Sequence, residues 1–291
     1  MIAYNPKDWL IFIFKVHRAD TIRQLFPLLL MVAIYSAGIA WWELTYFGPE
    51  HSWLKNLPVL HSLLGFVISL LLVFRTNTAY DRWWEGRKLW GALVNNSRNL
   101  AIKLNALLDG QDTDTRSFYR RMIPLYAKVL MAHLQAEQTR WSLDEKEHPE
   151  FATIDMSKHV PNQVARLMIS KAVLLHRSGK ISGDELIVIN GELLSFTDIC
   201  GACERIKNTP IPYSYSAFIK KFIFFYIMTL PLGLVFQLGY LVVPVVTLVL
   251  YVLASLEIVA EEIEDPFGTD TNDLPMDKIS DNIQRHIAEL I

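Results

Sequence analysis

Leu57 to Phe74 carries no Lys, Arg, Asp or Glu, and at Arg75 it passes into a charged, tryptophan-rich continuation, RTNTAYDRWWEGRKLWGALVNNSRNLAIKLNALL. That junction constrains the fold more than any other feature. The uncharged half is long enough to cross the hydrocarbon core of a bilayer. The continuation has no proline, and its apolar positions Leu89, Trp90, Leu93, Val94, Leu100, Ala101, Leu104, Leu107 and Leu108 keep helical spacing. The reading is one helix, or two nearly collinear ones, spanning the membrane and continuing into the cytoplasm as a rod of about 75 Å. Asp109-Gly110 ends it with a residue tolerant of left-handed geometry.

Two other stretches are free of charge. Leu25 to Trp42 suits one crossing, with Trp41 and Trp42 at the interface. Phe222 to Leu256 is too long for one straight crossing, and Gln237-Leu238-Gly239-Tyr240 near its middle predicts a tight hairpin of two spans. Lys220 and Lys221 can snorkel to the headgroups at its start. Four spans are therefore expected. Of the 28 basic residues, 21 fall between residues 75 and 221. Arg75, Arg82, Arg87, Lys88, Arg205, Lys207, Lys220 and Lys221 flank the second and third spans and place the middle block and both termini in the cytoplasm.

The organisation follows. Residues 1–24 form an amphipathic cytosolic segment, with the apolar face WLIFIF (Trp9 to Phe14) suited to the membrane surface. Residues 25–74 hold spans one and two, 75–213 a helical cytosolic domain, 214–258 spans three and four, and 259–291 an acidic cytosolic tail with a short amphipathic helix from Met276. Within the domain, helices are expected over Arg116 to Gln138, Gln163 to His176 and Asp184 to Lys207, with Glu147 to Pro161 as a loop. Pro124 predicts a start or a kink in the first of these. Ser182 and Glu185 have the spacing of a capping box for the last. No cleavable signal peptide is evident in Met1 to Ala19.

Composition narrows the chemistry. A chain that is 52% hydrophobic and 20% charged fits a membrane part plus a soluble part. A net charge of −2 leaves no basic excess for nucleic acid. Two cysteines cannot build an extracellular disulfide framework. Cys200-Gly-Ala-Cys203 has redox or half-zinc spacing, but no second CxxC or HxxxH pair completes a tetrahedral site, and buried helical cysteines are the plainer reading. The eight histidines are scattered, with no two placed one turn apart on a helix face. No GxSxG, Walker or HExxH motif is present, so no enzyme is expected.

In the second span, Phe66, Leu70 and Phe74 recur at i, i+4 and i+8 beside Gly65, with Ser62 and Ser69 nearby. Such a stripe either faces lipid or a packed helix, or forms a hydrophobic constriction when several copies meet. Near the C-terminus, Glu261, Glu262, Glu264, Asp265, Asp270 and Asp273 bracket Pro266-Phe267-Gly268. They make either a solvated acidic tail or oxygen ligands for Ca²⁺. Trp83, Trp84 and Trp90 are expected to pack between long helices.

Four motifs point to a known family. FRTNTAYDRWWEGRKLWG (Phe74 to Gly91), GxCER (Gly201 to Arg205), TPIPYSYS (Thr209 to Ser216) and EEIEDPFGTDTNDLP (Glu261 to Pro275) resemble the bacterial branch of the bestrophin family in order and spacing, over nearly the whole chain. The resemblance implies an all-α membrane protein with four transmembrane helices per subunit and a helical cytosolic domain, assembled as a homopentamer around a central pore in the inner membrane. It implies passage of small monovalent ions, chloride among them, through a neck lined by Phe66, Leu70 and Phe74, with no cofactor required. A second, cytosolic restriction falls at Asp184, with Glu185 beside it, where the family usually has an apolar residue. A carboxylate ring there either favours cations, giving a cation-selective channel of the same fold, or merely serves the helix dipole. For the family's calcium clasp, Asp270 and Asp273 match the acidic side-chain positions, while Glu262 and Asp265 stand where carbonyl donors would be. A non-conducting membrane scaffold is the rival from another class. A secondary transporter is disfavoured because no repeated halves are visible.

Overall fold

The structure is a computed structural model that describes residues 21–47, 57–135 and 153–291. The expected surface segment before residue 21, residues 48–56 between the first two spans, and the first part of the expected loop from Glu147 lie outside the described residues. Every α-helix or 3₁₀ element among the described residues is helical, and none is a strand. In chain order the helices are α1 (Thr21–Tyr46), α2 (Leu57–Leu107), α3 (Thr113–Gln135), α4 (Val160–Arg177), α5 (Gly183–Asn208), α6 (Tyr213–Leu238), α7 (Val242–Glu264) and α8 (Met276–Leu290). They divide between two compact units.

The first unit takes the described residues up to Arg82 together with Pro210–Glu264. Helices α1, α6 and α7 pack on one another around Leu29, Val32, Ile223, Ile227, Val246 and Leu250, with Ile68 and Leu72 of α2 in the same core. Helix α1 already includes Thr21 and Gln24, ahead of the uncharged run, where Thr21 Oγ1 meets Ser255 Oγ at 2.8 Å and Gln24 donates to Glu262 at 3.3 Å. Its far end also runs on past Trp42 to Tyr46, so Glu43 is a buried residue within the helix. Helices α6 and α7 form the expected hairpin. Helix α6 ends at Leu238, and Gly239 turns the chain with φ +56°, a backbone state that a side chain would strain. A single 3₁₀ turn, Gly239–Leu241, then leads into α7.

The second unit holds Trp83–Thr209 and Asp265–Ile291. Its core gathers Trp90, Leu93, Tyr119, Tyr126, Met168 and Phe196. Helix α3 begins at Thr113 and continues through Pro124 rather than starting there. Met122 to Ala127 are all buried, and that packing outweighs the lost backbone hydrogen bond. The C-terminal segment is no free tail. Phe267, Leu274, Met276, Ile279, Ile283 and Ile287 join this core, and α8 packs on α3. The capping box of α5 forms as expected: Glu185 N–H donates to Ser182 Oγ at 3.2 Å and Ser182 N–H to Glu185 Oε2 at 2.6 Å.

Among the described residues, four stretches are long and apolar enough to cross a bilayer: α1, α2, α5, and α6 with α7 taken through their turn. Helix α5 meets that criterion by composition only. It carries Asp184, Glu185, Glu192, Asp198 and Glu204, and its apolar side is spent in the core of the second unit. Helices α6 and α7, of 26 and 23 residues, are each long enough for a crossing of about 30 Å. The candidate crossings are therefore α1, the uncharged first part of α2, α6 and α7.

Candidate functional site

The apolar stripe of α2 is laid bare. Phe66, Leu70 and Phe74 are 70%, 46% and 57% exposed, while Ile68 and Leu72 of the same helix are 1% exposed. One side of α2 is thus committed to the unit's own core, and the side carrying the stripe is left for another surface. Gly65 has a packing role that spacing did not reveal. A Cβ there would lie 2.8 Å from the hydroxyl of Tyr226 on α6. Ser62 and Ser69 donate to the carbonyls of Pro58 and Gly65, at 2.8 and 2.7 Å, so their hydroxyls are spent within α2.

Below the stripe, Arg75 is buried. Its Nη2 donates to Glu264 Oε2 at 2.6 Å, and its Nε lies 3.7 Å from Glu257 Oε2. Glu264 Oε1 also accepts the backbone N–H of Ile211 at 2.6 Å. One carboxylate therefore ties α2 to α7 and to the proline-rich segment before α6. Sequence reading gave Arg75 a role in orientation only; nothing in its spacing marked the carboxylate it meets.

Asp184 is an exposed residue in the first turn of α5. Glu185 is engaged in the capping box, so the two acids have different roles. Ile187, one turn on from Asp184, is 73% exposed and adds an apolar side chain to that face.

The acidic residues near the C-terminus do not fall in one unit: Glu262 belongs to the first, and Asp265, Asp270 and Asp273 to the second. The second set braces its own turn. Asp273 is buried and its Oδ2 accepts the N–H of Asp270 at 2.6 Å, while Asp265 Oδ1 accepts the N–H of Phe267 at 3.4 Å. Trp83 donates to the carbonyl of Asn272 at 3.1 Å, Trp90 is wholly buried, and Trp84 is half exposed.

Cys200 and Cys203 are both buried and free. Burial pushes the Cys200 thiol up to about 12 and raises that of Cys203 as well, so neither offers a thiolate at neutral pH. Among the described residues, the ligand-type atoms that converge are those of His133, His159 and Glu204, all within 4.8 Å of one another. They come from three separate helical segments, which inspection of helix faces could not reveal. Burial works to raise the Glu204 carboxyl, but hydrogen bonds from His159 and His133 outweigh it and hold the group below the usual carboxylate range.

Comparison with known proteins adds an independent line. A family model described as Bacterial/Fungal Bestrophin protein matches residues 1–289. The voltage-dependent anion channel-forming protein alr2987 of Nostoc sp. is 35% identical over 238 residues, 80% of this chain and 78% of the relative. The voltage-dependent anion channel-forming protein YneE of Escherichia coli is 29% identical over 290 residues, 100% of this chain and 94% of the relative. A crystal structure of a bacterial bestrophin homologue from Klebsiella pneumoniae superposes with a TM-score of 0.77 at 27% identity, covering 93% of this chain and 98% of that one.

Proposed function

The chain belongs to the bacterial and fungal bestrophin family, and from that premise we propose that it forms an anion channel of the inner membrane, a homopentamer passing small ions such as chloride. Phe66, Leu70 and Phe74 of five copies would ring the pore and close it by excluding water until the ring widens. The observation that carries this reading is the bare stripe itself, three bulky apolar side chains exposed on a helix whose opposite side is packed. Relatives named as anion channel-forming proteins support the choice of ion class.

Both termini and the second unit are assigned to the cytoplasm, on the weight of basic residues flanking the spans. No catalytic step is assigned to the chain. Replacing Phe66, Leu70 and Phe74 together by alanine should raise ion flux in liposomes. Unchanged flux in that variant rejects the neck, and a wild type that passes no ion favours a scaffold.

Calcium is assigned a place only at Asp270 and Asp273, whose turn already satisfies part of its oxygens from its own backbone. Calorimetry with millimolar Ca²⁺ decides it: heat that disappears in Asp270→Asn supports binding, and no heat in the wild type removes it.

A further inference from the structure

His133 lies in the last turn of α3, His159 caps the N-terminus of α4, and Glu204 stands on α5 next to the buried Cys203. Their side chains are 33%, 32% and 28% exposed, so the cluster is anchored in the second unit yet open to ions in solution. Glu204 Oε1 lies 2.6 Å from Nε2 of each imidazole, and the two rings are tilted with centroids 4.5 Å apart.

We infer that His133, His159 and Glu204 form a binding site for a zinc-class divalent ion, taking it through two imidazole Nε2 atoms and one carboxylate oxygen. Two nitrogens and an oxygen suit zinc and its neighbours and do not suit calcium, which takes oxygen ligands. Three protein ligands leave the fourth tetrahedral position for water. Nothing about this inference depends on ion conduction.

The geometry needs small adjustments. Bonds of about 2.0–2.1 Å in a tetrahedral site separate ligand atoms by about 3.3 Å, so each His–Glu pair must open by about 0.7 Å. Partly exposed side chains reach that by rotation, without moving their helices. Protons must move as well. The carboxylate oxygen now accepts Nε2–H from both rings, and His159 Nδ1 accepts the N–H of Asn162 at 3.2 Å. When the ion takes the Nε2 lone pairs, the ring proton is carried on Nδ1, and the amide of exposed Asn162 turns to water. A neutral imidazole changes tautomer without net proton loss, whereas a protonated one releases a single proton. Binding is therefore expected to weaken at acidic pH.

The test uses full-length protein in detergent, stripped with a chelator and titrated calorimetrically with Zn²⁺, with Co²⁺ as an absorbing substitute. The wild type should bind one equivalent per chain and give a tetrahedral cobalt spectrum. Glu204→Gln keeps an oxygen to accept from both rings, so it preserves the hydrogen-bonded cluster while weakening the ligand. It should lose at least tenfold in affinity, and His133→Ala should lose the equivalent. Circular dichroism and gel filtration confirm that the variants are folded. Should His133→Ala fail that check, Glu204→Gln decides alone. Equal zinc affinity in wild type and Glu204→Gln overturns the site, as does a wild type that binds neither metal.

Discussion

Arg75 shows how much one residue at the end of a membrane span can hold. It is buried, its Nη2 is committed to Glu264, and Glu264 in turn holds the N–H of Ile211. Breaking a buried pair from one side leaves an uncompensated charge, which costs about 3–5 kcal/mol. Glu264→Ala should therefore destabilise the protein by about 3 kcal/mol in thermal unfolding in detergent. Adding Arg75→Met should recover part of that loss, since the guanidinium is then no longer stranded, and only part because Glu257 loses its cation. A Glu264→Ala protein as stable as wild type would show that Glu257 alone satisfies the guanidinium. Gly65 makes a second residue-scale case. Gly65→Ala drives a methyl against the Tyr226 hydroxyl and should cost on the order of 1–3 kcal/mol. Tyr226→Phe removes the atom it meets and should relieve most of that cost; a double-mutant cycle without coupling would place the strain elsewhere.

At the scale of elements, the legible features were those written in local spacing. The unbroken α2, the hairpin at Gly239 and the capping box of α5 each follow from residues a few positions apart. The features that stayed hidden depend on meetings in space. His133 and Glu204 are 71 positions apart and His159 and Glu204 are 45 apart, so no helix-face argument could join them. Pro124 reads locally as a break, yet the buried residues around it carry α3 through. The start of α3 depends instead on Asp112, whose carboxylate accepts the N–H and hydroxyl of Thr115 at 3.3 and 2.9 Å and pairs with Lys180 at 2.7 Å. Asp109-Gly110 reads as the end of α2, and the side chain that caps α3 stands two residues further on. Asp112→Ala should cost about 1 kcal/mol, the usual value of an N-cap. Lys180, chiefly, and the Thr115 hydrogen bonds hold the Asp112 carboxyl below its usual range against the opposing effect of burial. A depressed folded pKa means that the stabilisation is present above the ordinary carboxylate value of about 4 and is lost as pH falls through the folded one. The stability gap between wild type and Asp112→Ala should therefore shrink at low pH. A gap that stays constant down to pH 2 would assign the effect to packing.

For the whole molecule, the question left by the single chain is what covers the stripe of α2 and what sets the charge of the permeant ion. Lipid would accept Phe66, Leu70 and Phe74 as readily as other copies of the chain would, because hydrocarbon does not distinguish the two. Mass measurement in detergent separates them: five chains per particle are expected, and a monomer removes the pore. In the proposed channel, Asp184 is the residue expected to tune selectivity. Five exposed carboxylates gathered on one axis would raise the local concentration of cations and oppose chloride. Ile187, on the same face, would instead present an apolar ring indifferent to sign. Under an asymmetric KCl gradient, the wild type should show a reversal potential on the chloride side of zero, and Asp184→Ala should move it further toward the chloride limit. Ile187→Ala should raise conductance without moving the reversal potential. A potential unchanged by Asp184→Ala would return that acid to the helix dipole of α5, where its position in the first turn already gives it a role.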